Sequence, residues 1–293
     1  MNIGIVGHGV VGSVLSRFIG RSPAHRIVIY DKFQTAHNGS QHKEYINSCD
    51  LVFLCVPTPS GPDGTCDVSA VEECAEWITC PLCVRSTIPP GTTDRLSAKN
   101  GRLIGFSPEY IGESRFHGWR EEAACGFLIV GGPAVLFQLV RSLYESCSQQ
   151  QLRYHHTSAR AAELCKYMEN CFLATKVAFV NQFFDIAHAL NVEFDELRNL
   201  WLADPRIGDS HTRVTAERGF RGRCLPKDLA ALVAAMKYHS GAPLLESVLS
   251  YNRTVCEEAD CNVCRRDAQT MSCFENHQEF SMESIGSSRD RIR

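Results

Sequence analysis

The constraint that leaves fewest folds open lies at the start of the chain. A short apolar run, Asn2 to Val6, passes directly into Gly7-His8-Gly9-Val10-Val11-Gly12 and then a helix-like segment to Ile19. Strand periodicity giving way to helix periodicity across three glycines at this spacing is the dinucleotide-binding pattern. Gly7 permits the turn, Gly9 lets the backbone approach a pyrophosphate, and Gly12 lets helix and strand pack closely. The phosphates are expected on the helix N-terminus, at Val10 and Val11. A second strand, Arg26 to Tyr30, ends at Asp31. An acid about 20 residues beyond the glycines is placed to bond the adenosine ribose and to repel a 2′-phosphate, favouring NAD over NADP. The plain alternative is a glycine-rich turn, which would need neither the flanking strand and helix nor the acid.

The alternation continues. Cys49 to Val56 is an unbroken apolar run of the kind buried in a parallel sheet. Pro57-Thr58-Pro59 stops it, and Pro62-Asp63-Gly64 supplies a turn. Val68 to Ile78 reads as a helix, Leu82 to Arg85 as a strand, and Ser86-Thr87 through Thr93 as the loop at its carboxyl end. Leu103 to Phe106 is a strand running into Ser107-Pro108-Glu109-Tyr110, and Phe127 to Val130 is expected to close the sheet before a helix to about Ser146. Strands alternating with helices predict an α/β fold with a Rossmann-type, doubly wound parallel sheet over residues 1–150. Ligands of such sheets bind beyond the carboxyl ends of the strands, where Val56, Pro57, Thr58, Thr87 and Glu109 fall.

After Ser158 the pattern changes. Neither Gly nor Pro occurs between Ser158 and Asp204, and the apolar spacing is helical to about Leu190. Such a helix is ~50 Å long at 1.5 Å per residue. Glu163, Lys166 and Asn170 share one face, at i, i+3 and i+7. A polar stripe is commonly a solvated face. The apolar Leu164, Phe172, Val177, Phe179 and Phe183 on the other sides argue instead for a long buried helix, a natural spine for a homodimer. Further helices are expected at Asn191–Leu202, Leu229–Tyr238 and Pro243–Val255, giving an all-helical second domain over residues 151–256. Residues 257–293 are polar, Ser-rich and without apolar periodicity, and read as a disordered tail.

One loop carries a candidate nucleophile. Gly219-Phe220-Arg221-Gly222-Arg223-Cys224-Leu225-Pro226-Lys227-Asp228 sets a thiol ahead of a helix, since Pro226 suits a first turn and Asp228 its positive end. A thiol there, flanked by Arg223 and Lys227, is expected to be acidified and reactive. The competing reading is a loop with an inert cysteine.

Composition narrows the class. The apolar fraction of 44% supports sizeable cores, and a net charge of −3 argues against nonspecific nucleic-acid binding. No apolar run reaches the ~18 residues of a membrane span, and no secretory signal is visible, so a cytoplasmic protein is expected. Fifteen cysteines in a chain this long read mainly as small core residues (Cys49, Cys55, Cys74, Cys165, Cys171), and Cys80 and Cys83 as structural. Cys256, Cys261, Cys264 and Cys273 lack the second paired half of a zinc site, so no metal is expected.

Taken together, the motifs resemble the UDP-glucose/GDP-mannose dehydrogenase family over roughly residues 1–255. The likeness rests on Gly7-x-Gly9-x-x-Gly12, Val56-Pro57-Thr58-Pro59 with Asp63-Gly64 and Asp67, and Ser86-Thr87 with Pro90-Gly91-Thr92-Thr93. It continues in Pro108-Glu109-Tyr110, Glu163-Leu164-x-Lys166 with Asn170, and Gly222-x-Cys224-Leu225-Pro226-Lys227-Asp228. The resemblance implies oxidation of a nucleotide sugar's primary alcohol to a carboxylate, with two NAD reduced in succession. Cys224 would hold the aldehyde as a thiohemiacetal and then a thioester. Lys166 and Asn170 would stabilise the oxyanion, Asp228 and Thr87 would hold water, Glu109 would be the base, and Glu113 matches a further acid of the site. It also implies a third domain that grips the nucleotide and for which this sequence has no counterpart, so a truncated member is expected, with a separate chain as one source of that domain. Arg221 and Arg223 stand where the family has Gly and Ser, and with Lys227 they are candidates for binding substrate phosphate. Two other readings stay open: a two-domain β-hydroxyacid dehydrogenase, which needs no cysteine, and a non-catalytic NAD-binding or partner-binding protein.

Overall fold

The structure, a computed structural model, describes residues 1–112 and 119–260. Glu113 and residues 261–293, with Cys261, Cys264 and Cys273 of the expected tail, lie outside the described residues. The chain forms two compact units, one comprising Met1–Phe172 with Arg223–Leu245, the other Leu173–Gly222 with the residues from Glu246 onward. The division therefore falls inside the long helix rather than near residue 150, and the chain returns to the first unit at Arg223, just before Cys224 and the helix after it.

The first unit is a seven-stranded sheet in the order β2-β1-β3-β4-β5-β6-β7. The strands are β1 (Asn2–Val6), β2 (Arg26–Tyr30), β3 (Leu51–Leu54), β4 (Leu82–Val84), β5 (Ile104–Phe106), β6 (Phe127–Gly131) and β7 (Arg153–Thr157). The first five run parallel; β6 joins β5 antiparallel through Phe106 and Gly131, and β7 runs parallel to β6. Phe127–Gly131 thus does not close the sheet. Arg153–Thr157 does, a polar edge strand that carries no apolar run to announce it. Helices α1 (Val10–Ile19), α2 (Ser40–Asn47), α3 (Ser69–Trp77), α4 (Thr92–Asn100) and α5 (Ala134–Cys147) cover both faces. One core packs Ile3, Ile5, Leu15 and Phe18 with Leu143 and Tyr144, and the other packs Val52, Leu54, Val71, Leu96 and Phe106. Beneath the first core lies a buried ion pair, Arg85 Nη2 to Glu122 Oε1 at 2.8 Å, which Tyr144 joins by donating to the same carboxylate oxygen. Switch-point topology puts the β1 and β3 carboxyl ends side by side, with those of β4 and β5 next in line.

Helix α6 (Ala159–Ala189) starts in this unit and continues into the second. The polar stripe is not a solvated face, but the apolar residues that were expected to bury the helix are left outside. Glu163, Lys166 and Asn170 are 0%, 6% and 4% exposed, whereas Leu164, Phe172, Phe179 and Phe183 are exposed. The charged face can be buried because partners meet it. Glu163 accepts from the backbone N–H of Gly91 at 2.5 Å and of Thr93 at 2.8 Å, and from the Thr93 hydroxyl at 2.6 Å. Those donors sit at the N-terminus of α4, whose orphan N–H groups need an acceptor and whose dipole favours an anion. Burial pushes the Glu163 carboxyl up, and the Thr93 and Gly91 donors oppose that shift. Cys165, read as a core residue, is exposed on the same helix.

The second unit is helical. It contains the remainder of α6, α7 (Phe194–Trp201) and, from Glu246 on, a helix over residues 243–260, which outlasts the expected end at Val255 by five residues. Within it Asn252 both accepts from the Phe220 N–H at 2.7 Å and donates to the Phe220 carbonyl at 3.0 Å. Helix α8 (Leu225–Met236) belongs to the first unit and starts four residues earlier than its apolar pattern suggests. No helix among the described residues is long and apolar enough to cross a membrane.

Removing the Glu163 carboxylate leaves buried donors of α4 unmatched. Glu163→Ala is expected to destabilise the fold by about 2–4 kcal/mol. The exposed Arg160–Asp94 pair provides the control, since Arg160→Ala should change stability by under about 1 kcal/mol. Chemical denaturation of both variants measures the difference.

Candidate active site

The glycine loop after β1 makes a cradle. Gly7 has φ +89°, and a Cβ there would lie 2.6 Å from the Cys55 carbonyl oxygen, so only glycine keeps β1 against the end of β3. A Cβ on Gly12 would lie 2.0 Å from the Gly7 carbonyl oxygen, whereas one on Gly9 would meet nothing within 4 Å. Open space therefore lies over Gly9, next to the first turn of α1, where the N–H groups of Val10 and Val11 have no intrahelical acceptor. Asp31 follows β2; its Oδ2 accepts from the His8 N–H at 2.7 Å and its Oδ1 from the Phe33 N–H at 2.9 Å. That carboxylate holds the glycine loop and keeps unused lone pairs. Ser86 donates to the Val56 carbonyl at 2.6 Å, and Thr58 donates to the Thr87 carbonyl at 2.9 Å, fastening the β3 and β4 loops together beside exposed Pro57. An open helix N-terminus with a carboxylate at the end of the neighbouring strand fits a dinucleotide.

The second part of the site lies where α6 meets α8. Cys224 is the N-cap residue of α8 and is exposed, and Pro226 falls in the helix's first turn. Asp228, 1% exposed, donates its own N–H to the Cys224 carbonyl at 2.9 Å, which closes the first turn. Its Oδ2 accepts from Asn170 Nδ2 at 2.5 Å and its Oδ1 from Lys227 Nζ. One bond thus joins Asn170 on α6 to the turn capped by Cys224. A turn of helix before Asn170, Lys166 sets its Nζ 4.8 Å from the centre of the Tyr110 ring and 4.0 Å from Glu169 Oε2. Burial, together with the charge of Glu169, raises the Tyr110 hydroxyl. Glu109, beyond β5, accepts from the Ile111 N–H at 2.8 Å. Cys66 donates to the Thr87 carbonyl at 3.7 Å, and burial raises its thiol while the Lys227 ammonium opposes the shift. Tyr167 is fully buried nearby, its hydroxyl raised by burial and then by Cys66 and Asp228.

Lys166, Asn170, Cys224, Lys227, Asp228, Glu109 and Thr87 therefore all belong to the first unit, with the cofactor candidates Gly7 to Gly12, Asp31, Val56, Pro57 and Thr58. Arg223 is exposed next to the thiol. Arg221 behaves otherwise than the phosphate-ligand expectation. It falls in the second unit, where its guanidinium donates to the Glu217 and Cys256 carbonyls and pairs with Asp260 at 2.9 Å. Three residues of the site were not singled out from sequence: Cys66, Tyr167 and Glu169. Glu169 adjoins Asn170, and the i+3 spacing from Lys166 was the available signal.

Similarity to known proteins agrees with this geometry. Residues 35–114 match the NAD binding domain of the UDP-glucose/GDP-mannose dehydrogenase family, and residues 160–254 match its central domain. The UDP-glucose 6-dehydrogenase of Rickettsia prowazekii is 29% identical over 218 residues, covering 70% of this chain and 49% of that protein. That of Pseudomonas aeruginosa is 30% identical over 209 residues, covering 65% and 45%. The chain spans about half the length of the curated relatives it matches. Among solved structures, a UDP-glucose dehydrogenase from the hyperthermophilic archaeon Pyrobaculum islandicum superposes with a TM-score of 0.74 at 24% identity, covering 86% of this chain and 68% of that one. A 3-hydroxyisobutyrate dehydrogenase from Mycobacterium tuberculosis gives 0.64 at 19% identity, covering 88% and 95%. Likenesses at such identities speak for the fold alone. With the family's NAD binding and central domains matched in order along the chain, the protein belongs to the UDP-glucose/GDP-mannose dehydrogenase family.

Proposed function

We propose that this chain oxidises the primary alcohol of a nucleotide sugar to a carboxylate with NAD, through a covalent intermediate on Cys224. The observation that carries the reading is the Asn170–Asp228 hydrogen bond, which ties the polar face of α6 to the helix that Cys224 caps. Gly7, Gly9, Val10, Val11, Gly12, Asp31 and the loop at Val56-Pro57-Thr58 and Thr87 would hold NAD, which supplies the acceptor for the electrons removed at each of two oxidations. The remaining chemistry falls to this chain's side chains. Cys224 forms a bond from sulfur to the aldehyde carbon, giving a thiohemiacetal and, after the second oxidation, a thioester. Lys166, with an ammonium held beside the Tyr110 ring, stabilises the negative oxygen. Asn170 uses one amide hydrogen on Asp228 and has a second for that oxygen. Asp228 and Thr87 hold the water, Glu109 takes its proton, and attack on the thioester returns the Cys224 thiolate and releases the acid. Arg223 and Lys227 would face the substrate.

A homodimer through α6 is part of this reading, supported by the exposed Leu164, Met168, Phe172, Phe179 and Phe183 on that helix. One second reading fits the same fold, which 3-hydroxyisobutyrate dehydrogenase shares over 95% of its chain: a dehydrogenase of small hydroxy acids that makes no use of Cys224.

NADH formation with NAD and UDP-glucose, UDP-N-acetylhexosamines and GDP-mannose separates the two. Two NADH per sugar are expected, and Cys224→Ala should lower turnover by about a thousandfold or more. Cys224→Ser should stop at the aldehyde with one NADH per sugar. Turnover of small hydroxy acids that survives both substitutions overturns the proposal, and so does NAD binding without turnover of any sugar. Gly12→Val, which drives a branched side chain into the Gly7 carbonyl, is expected to abolish NAD binding in a calorimetric titration.

A further inference from the structure

Glu169 is the acid of this site to which the sequence motifs assign no role. It lies three residues after Lys166 and next to Asn170 on α6, so its side chain shares the face that Lys166 presents. The side chain is 31% exposed, yet its Oε2 is enclosed and accepts no hydrogen bond among the described residues. A buried carboxylate oxygen without a donor is costly, and folded proteins seldom keep one without a use. The nearest cation does not satisfy it. Lys166 Nζ stands 4.0 Å away, an ion pair beyond hydrogen-bond reach. Among the described residues, Glu109 and Tyr110 also face this pair, and neither supplies a donor to Oε2. Burial pushes the Glu169 carboxyl up, Lys166 works against that, and the negative charge of Glu109 adds to it.

A separation of 4.0 Å between a donor and an acceptor suits one hydroxyl placed between them, about 2.8 Å from each. Such a hydroxyl accepts from the ammonium and donates to the carboxylate, and a turn of the part-exposed Glu169 side chain would uncover Oε2 to it. We infer that Glu169 reads the substrate: its Oε2 accepts a hydrogen bond from a substrate hydroxyl that bridges Glu169 and Lys166. The inference rests on the sugar-oxidising reading and deepens it, because it makes Glu169 a determinant of which polyhydroxylated substrate is held. Neither covalent chemistry nor proton release is assigned to it.

The test is calorimetric titration, without NAD, of wild type, Glu169→Ala and Glu169→Gln with the nucleotide sugar that the wild type oxidises and with analogues of it lacking single sugar hydroxyls. Glu169→Ala is expected to weaken binding about 10- to 100-fold, the size of one hydrogen bond to a charged group. Glu169→Gln, whose amide oxygen still accepts, should recover part of the loss. One deoxy analogue should bind wild type and Glu169→Ala equally, since the bond is then already missing. Unchanged affinity in Glu169→Ala overturns the inference while leaving the sugar-oxidising reading intact. So does an equal loss across every analogue, which marks a structural residue. A wild type that neither binds nor oxidises any of the nucleotide sugars overturns both, and that outcome is distinguishable because it appears before any substitution at Glu169.

Discussion

The site depends on how a buried carboxylate is satisfied. Asp228 is almost completely enclosed, and a charge in that position destabilises a fold unless donors meet it. Asn170 meets one oxygen and Lys227 the other, while the backbone of Asp228 closes the first turn on Cys224. Each partner comes from a different level of the structure: a long helix, the adjacent residue, and the helix cap. Moving α6 by one residue would strip Asp228 of Asn170, and unwinding the first turn of α8 would release Cys224. The same interaction that keeps Asp228 stable thus fixes where the thiol stands relative to the polar face of α6.

The same logic explains why α6 is turned with its charges inward. A helix ordinarily buries its apolar stripe, and Leu164, Phe172, Phe179 and Phe183 offer one. Here Glu163 finds three donors at the start of α4, Asn170 finds Asp228, and Lys166 finds the Tyr110 ring and Glu169. These interactions outweigh the loss from leaving phenylalanines in water, and they leave an apolar face on the outside.

What was legible in the sequence follows from how local each feature is. The Gly7 turn, the close approach of Gly12 and the proline stop after β3 are decided by steric rules that act within a few residues, and the structure has each where the sequence puts it. Pro226 and Asp228 marked the start of α8 for the same reason, although apolar spacing alone would have begun the helix at Leu229. The misreadings came from features that only distant parts of the chain decide. Arg153–Thr157 is a strand because β6 offers it an edge, not because its own residues demand one. The apolar side of α6 is left exposed because the α4 N-terminus and Asp228, some 60 to 70 residues away in sequence, draw its polar face inward. Arg221 looked like a free cation beside the thiol, and a carboxylate 39 residues later claims it. Glu169 drew no notice because a single acid on a helix usually faces water.

The path of the chain adds a last physical point. The sheet, the glycine cradle, the first half of α6 and the whole of α8 form one compact unit, although residues 173–222 leave it and Arg223 returns. Thr87, Glu109, Lys166, Asn170, Cys224 and Asp228 all lie on that unit, so their mutual geometry is fixed by one core and needs no second body to assemble it. Arg223 and Cys224 are the first residues after the return, and Gly222, with φ +86°, is the residue at which the backbone turns back. Cys224 is exposed at this re-entry point and caps the helix that follows. Asp228, one turn further on, keeps the helix beneath it in place.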